Sequence, residues 1–190
     1  MPPAQRYQKD EILRAATVLI RRDGPAALNA RSLARELGCS TQPIFRLFTG
    51  MDELRSGVIS QASDTFYATM YARMDKSENP YLEMGLHYLT FAQDDPQLFK
   101  LIFMRDRMTD GCYAEEQAAY DALYVRISQT LGISVQDAQD FYCRTWVYAH
   151  GLAVSIATKY TPRMSEVDMV SYLRDCCRAA AMFMHLSIPM

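Results

Sequence analysis

The sequence contains no long hydrophobic run, no internal repeat, no low-complexity tract and no large surplus of either charge. No apolar stretch approaches the ~18 consecutive residues that a bilayer-spanning helix requires, and no signal-peptide pattern precedes the first helical segment. A cytoplasmic protein with no membrane partner is therefore expected. Cysteine occurs five times, as Cys39, Cys112, Cys143, Cys176 and Cys177, an odd number without CxxC or Cys/His ligand spacing. That usage argues against a disulfide framework and a thiolate metal site, and it reads as reduced thiols. The adjacent Cys176 and Cys177 fit either a redox-sensing pair or ordinary packing in a helical core. The three histidines, His87, His150 and His185, are not at ligand spacing, so His150 reads as a hydrogen-bonded core or interface residue. No Ser/His/Asp or Cys/His arrangement is present, and no catalytic residue, metal or cofactor is expected.

What is present is apolar material, 49% of the chain, enough for a substantial core in 190 residues. No segment alternates for long in the manner of a half-buried strand, and the periods are helical, so the fold class is all-α. The formal charge of −2 conceals an asymmetry. Through Gly50 there are eight basic and four acidic residues, a net of +4, against 12 and 18 in the remainder, a net of −6. A basic first quarter on an acidic body fits a phosphate-binding module joined to a non-binding one.

In the first segment Ile12, Ala15, Ala16, Leu19 and Ile20 share one helical face, predicting a helix over Lys9 to Asp23 that Gly24-Pro25 ends. Asn29 is a good N-cap for a short second helix carrying Leu33, Ala34 and Leu37, and Gly38 ends it. Ser40 or Thr41 is expected to cap a third helix with Pro43 in its first turn and Ile44, Leu47 and Phe48 on its inner face. A long helix from about Asp52 toward Asp75 links the two parts, giving expected domains 1–51 and 52–190. Further helices are predicted over Tyr81 to Gln93, around Leu98 to Ile102, and over Ala114 to Leu131, Val135 to Lys159 and Glu166 to Leu186. The loop at Thr109-Asp110-Gly111 is the expected flexible segment.

A helix of about eight residues, a turn with glycine and a second short helix describe a helix-turn-helix, whose second helix enters the DNA major groove. The run from Leu28 to Leu54, LNARSLARELGCSTQPIFRLFTGMDEL, resembles the signature of the TetR family of transcriptional regulators. The similarity covers about Lys9 to Val58, and Trp146-x-x-x-His150-Gly151 resembles an element of one subgroup's C-terminal domain. This resemblance implies a three-helix DNA-binding domain joined by a long helix to a helical ligand-binding and dimerisation domain. It also implies double-stranded operator DNA, a second copy of the chain and an unidentified small-molecule effector as partners.

Carried onto this chain, the resemblance makes Arg31, Ser40, Thr41, Gln42, Pro43, Phe45 and Arg46 the expected DNA contacts. Arginine suits guanine O6 and N7, and glutamine suits adenine N6 and N7. Three positions depart from the family pattern. Phe45 stands where a tyrosine often donates to phosphate, which leaves stacking, a sugar or a thymine methyl as its contact. Leu47 replaces a common histidine or tyrosine, and Met51 a common lysine. Arg6, Lys9, Arg35 and Arg46 are candidates to supply the missing backbone contacts.

In the body, Tyr67, Met70, Tyr88, Phe91, Phe103, Met104, Tyr120, Tyr124, Trp146 and His150 are candidates to line a ligand cavity or to form plain core. Such a lining suits a flat or greasy molecule with a polar handle. Two stripes on the last helices, Ala149, Leu152, Ala153 and Ile156, and Val170, Leu173, Cys177, Ala180, Ala181 and Met184, are the expected dimer interface. The functional expectation is a repressor released from its operator by a largely hydrophobic ligand. The alternatives are a helical dimeric interaction protein with weakened DNA binding, and an all-helical enzyme.

Overall fold

The computed structural model describes residues 7–105 and 113–188, with the backbone alone over 113–119. Arg6, Cys112 and the loop at 109–111 lie outside the described residues. Nine α-helices and no strand are found among the described residues: α1 Lys9–Asp23, α2 Ala30–Leu37, α3 Gln42–Leu47, α4 Met51–Met74, α5 Pro80–Asp94, α6 Pro96–Phe103, α7 Tyr113–Leu131, α8 Val135–Ala157 and α9 Glu166–Phe183. The all-α expectation holds. No described helix is long and apolar enough to cross a membrane.

The chain divides into two compact units. The first takes the chain through Phe66 together with Asp95–Arg105, and the second takes Tyr67–Asp94 and α7 to α9. The division thus falls within α4, whereas the sequence pattern places a boundary at its first residue. In the first unit, Ile12, Ala16, Leu19 and Ile20 of α1 are buried with Leu33 of α2, Ile44 of α3 and Leu54 and Val58 of α4. Gly57 lets α4 approach α1, since a Cβ there would lie 3.1 Å from a Leu13 methyl.

A short 3-10 turn, Pro25–Ala27, which no periodic pattern announces, follows α1. It is entered through Gly24 at φ +88°, a backbone conformation that side chains rarely adopt. Gly24 also lies against α6, where a Cβ would meet Gln97 Oε1 at 3.2 Å. Helix α6 completes this unit, with Arg21 of α1 donating to Asp95 at 2.7 Å. The Phe103 ring packs there on Phe66 and Phe99 at 5.1 and 5.2 Å.

In the second unit, α5 packs against α8, α9 and α7. Its side chains Tyr81, Met84, Leu86, His87, Tyr88, Leu89 and Ala92 are all buried, so α5 is an internal helix with little solvent face. Gly85 allows the contact with α9, because a Cβ would reach 3.0 Å from Leu173. The starts of α8 and α9 follow one rule. Ser134 accepts the Asp137 N–H at 3.0 Å, Ser165 accepts that of Asp168 at 3.1 Å, and each hydroxyl donates 2.6 Å to the same aspartate.

Candidate nucleic-acid interface

The interface is built from the first turn of α2 onward. Asn29 Oδ1 accepts the backbone N–H groups of Arg31 at 3.1 Å and Ser32 at 3.0 Å. Ser32 Oγ in turn accepts the Asn29 N–H at 3.2 Å and donates to the Ala27 carbonyl at 2.5 Å. This reciprocal cap satisfies donors that a helix start otherwise leaves open, and it fixes Arg31 on an exposed first turn. The far end is closed as firmly. Gly38 adopts φ 67°, ψ 30°, its N–H reaches the Arg35 carbonyl at 3.1 Å, and the Cys39 N–H reaches the Ala34 carbonyl at 2.9 Å. Both bonds belong to the Schellman termination, which redirects the chain at a left-handed residue. The Tyr7 hydroxyl donates to the Leu37 carbonyl at 2.7 Å, occupying another acceptor of this helix end.

Helix α3 starts at Gln42 without the hydroxyl cap expected from Ser40 or Thr41. Thr41 already has helical backbone angles, φ −73° and ψ −14°, and accepts no capping bond through its side chain. Its carbonyl begins the helix instead, accepting from Ile44 and Phe45. Ile44 and Phe48 are buried, which anchors α3, and this leaves Ser40, Gln42, Phe45 and Arg46 exposed on the other side. Thr41 and Pro43 are half-buried, as are Leu47 and Met51.

The arginines divide into two sets. Arg21 is held by Asp95 at 2.7 Å, and Arg22 by Asp23 at 2.9 Å and Glu36 at 3.0 Å. Lys9 is held by Glu53 at 2.8 Å and lies 5.0 Å from the centre of the Phe48 ring. The lysine, with the Thr49 N–H and hydroxyl at 2.7 and 2.9 Å, holds the Glu53 carboxyl down at about 2. Arg14, Arg31, Arg35, Arg46 and Arg55 of the first unit form no ion pair among the described residues. Three of these five stand on α2 and α3, so much of the free positive charge of this unit lies on the two helices of the motif.

The second unit carries the aromatic candidates. Tyr120 and Tyr124 stack at 6.3 Å, and Tyr142 joins them at 6.2 and 5.6 Å. Burial, then the neighbouring Tyr120, Tyr67, Tyr81 and Tyr88, push the Tyr142 phenol well above its ordinary value. The Tyr88 hydroxyl and His150 Nδ1 are 2.7 Å apart, and the His150 ring stacks on Trp146 at 4.7 Å and 13°. Tyr81 meets the Thr145 hydroxyl at 2.5 Å. Tyr67, Tyr88, Tyr120, Tyr124, Trp146 and His150 therefore share this unit with Met70, which is buried, and Phe91, which is half-buried. Phe103 belongs to the first unit and Met104 is exposed.

Sequence periodicity does not single out Tyr81, Tyr142 or Thr145. Only the packing of α5 on α8 shows that two polar groups are buried face to face there. Burial also pushes the Cys177 thiol up to about 12 and raises that of Cys176. A raised thiol is a poor nucleophile, which favours packing over redox sensing for this pair. No group of three His, Cys, Asp or Glu among the described residues is placed to hold a metal.

The two apolar stripes expected at a dimer interface lie mostly inside the chain. Ala149, Ala153, Ile156, Leu173, Cys177, Ala180 and Ala181 are buried within the chain, and Leu152, Val170 and Met184 are half-buried. The apolar side chains that α8 and α9 leave open include others: Val147, Tyr148, Val167, Tyr172, Met182 and Phe183, from 41% to 78% exposed. Arg144, Tyr148, Asp175, Cys176, Ala179, Ala180 and Phe183 line an open groove between the two helices. The Arg144 guanidinium lies 4.6 Å from the centre of the Phe183 ring.

No family model and no curated protein matches the chain. Among solved structures it resembles a TetR-like transcriptional regulator from Rhodococcus sp. RHA1, with a TM-score of 0.70 over 96% of this chain and 98% of that one at 14% identity. A protein described as a TetR-family transcriptional regulator from Mesorhizobium loti aligns over 92% of this chain and 95% of its own, at 15% identity and a TM-score of 0.50. At these identities the likeness establishes the fold, which is TetR-like over nearly the whole chain.

Proposed function

We propose that the protein is a sequence-specific DNA-binding transcriptional regulator, not an enzyme, acting as a homodimer on operator DNA. The observation that carries this reading is the α2-turn-α3 unit, with both ends of α2 capped, α3 anchored through Ile44 and Phe48, and three exposed arginines that form no ion pair among the described residues. A major-groove reader needs this combination of a rigid mount and free side chains. Arg31 and Gln42 are its direct base readers, and Arg35 and Arg46 its phosphate contacts.

The dimer forms through the open faces of α8 and α9, with Tyr148 and Phe183 as anchors. It sets two copies of α3 about 34 Å apart on a palindromic site. The tyrosine-rich centre of the second unit, with Tyr88, Tyr142, Trp146 and His150, receives a small, largely hydrophobic effector with a polar handle. Its differential affinity for the two states of the dimer releases the operator. This work divides between the helix-turn-helix, within the expected domain 1–51, and the helices of the second unit, within the expected domain 52–190.

A mobility-shift titration with the DNA upstream of the gene tests the reading. Specific, salt-dependent binding is expected, weakened roughly 10- to 100-fold by Arg31→Ala and again by Gln42→Ala, as for loss of one bidentate base contact. The lack of a hydroxyl at Phe45 and of polar groups at Leu47 and Met51 favours one second reading, a helical interaction protein with weakened DNA binding. Dimerisation without any salt-dependent DNA complex would establish that reading in place of the first.

A further inference from the structure

We propose that Phe45 makes operator recognition depend on a pyrimidine C5-methyl group, so that each half-site carries a thymine whose methyl packs on the Phe45 ring. The inference rests on the DNA-binding reading and adds the base that one residue selects. Phe45 is 50% exposed although its neighbour Ile44 is fully buried and Phe48 nearly so. The anchoring of α3 therefore turns this ring outward, on the side that bears Gln42 and Arg46.

An exposed aromatic ring commonly marks a protein-docking surface. Here Arg46 is its neighbour on α3, and Arg31 and Arg35 stand on α2, the helix before the turn. All three are exposed and without an ion pair among the described residues, a charge complementary to a polyanion. A duplex is thus the occupant. The ring has no hydroxyl and cannot donate to a phosphate, so what it gains must be apolar. In the major groove the one apolar group that a base edge presents is the thymine C5-methyl.

Spacing puts the ring within reach of a neighbouring base pair. Gln42 and Phe45 are three residues apart on one helix, which separates them by about 4.5 Å along its axis. That is close to one base step, so a Gln42 side chain on an adenine edge sets the Phe45 ring beside the next base pair or the one after it.

The test uses the full-length protein and an operator isolated by selection from random duplexes. Each thymine is replaced in turn by deoxyuridine, which keeps pairing and removes only the methyl. Binding is measured by fluorescence anisotropy for the native protein, Phe45→Ala and Phe45→Tyr. One thymine in each half-site is expected to lose about fourfold in affinity on replacement, as for one buried methyl group, and about 15-fold when both half-sites are replaced. Phe45→Ala should bind thymine and uracil operators equally, and Phe45→Tyr should keep the discrimination. The proposal is overturned if specific binding is found with no methyl-sensitive position, or if the sensitivity persists unchanged in Phe45→Ala. If selection yields no salt-dependent binding at all, the DNA-binding reading itself fails and this one with it.

Discussion

The α2–α3 surface and the α8–α9 surface are both exposed, yet the first carries arginines and one ring, whereas the second mixes large apolar side chains with charges of both signs such as Arg144, Asp175 and Arg178. On α2 and α3 the open side chains are Arg31, Arg35, Gln42 and Arg46 with a single ring, Phe45. On α8 and α9 they include Val147, Tyr148, Val167, Tyr172, Met182 and Phe183. Long-range charge steers a partner and is screened by salt, whereas apolar area acts only on contact and resists salt. On the proposed reading, the first face meets a polyanion and its binding is salt-sensitive, and the second meets a copy of the chain and tolerates salt better.

The strongest way to break this comparison is to put charge on the apolar face. Tyr148→Glu with Phe183→Glu should convert the dimer to a monomer in sedimentation equilibrium while far-UV circular dichroism stays unchanged. Operator affinity should fall by at least about 100-fold, because two linked half-sites bind far more tightly than one. Monomers that keep full operator affinity would rule out a bivalent mode of binding. The converse substitution removes charge from the other face. Arg35→Ala and Arg46→Ala should each flatten the dependence of log affinity on log salt by about 0.9, one phosphate contact apiece, and leave the dimer intact.

A smaller effect separates the two surfaces by their mounts. Asn29→Ala removes the cap of α2 and Ser165→Ala that of α9, and each should cost about 1 kcal/mol of stability in thermal unfolding. Only Asn29→Ala should also weaken DNA binding, because its side chain fixes the turn that carries Arg31. Equal loss of DNA binding in both variants would mean that the caps act through global stability alone.

How far this architecture can be read from sequence depends on whether a feature is local. Helix α1 runs from Lys9 to Asp23 as its period predicts, and α2 lies between Asn29 and Gly38, because caps, periods and stop residues act within a few positions. Helix α8 stops at Ala157, two residues short of the expected Lys159, where Lys159 takes φ 60°. Non-local facts were out of reach. Helices α8 and α9 each carry apolar side chains on more than one face, and period alone does not tell which stripe α5 covers. The stripe richest in small residues packs inward, where close helix approach is needed, and the bulkier residues remain outside. The grouping of Tyr142 with tyrosines from α5 and α7, and the pairing of Arg21 and Lys9 with Asp95 and Glu53, likewise join positions far apart in sequence.

That last pairing bears on the charged surface itself. Lys9 is a basic residue of the first unit, but Glu53 and the Phe48 ring occupy its ammonium group, so it adds little to the free charge around α3. The Glu53 carboxyl is held at about 2 against an ordinary 4.5, first by Lys9 and then by Thr49. A carboxyl with a lowered value stabilises the fold fully above its unfolded value, and that contribution fades as the pH falls toward the folded one. Wild type should therefore unfold at a higher temperature than Glu53→Gln at neutral pH, with the gap closing between about pH 4.5 and 2. A gap that persists at pH 2 would show that packing, not ionisation, supplies it. The same variant releases Lys9 close to the end of α3. If the ammonium then reaches a phosphate, the salt dependence of DNA binding should steepen by up to about 0.9. An unchanged slope would confine the charged face to Arg31, Arg35 and Arg46.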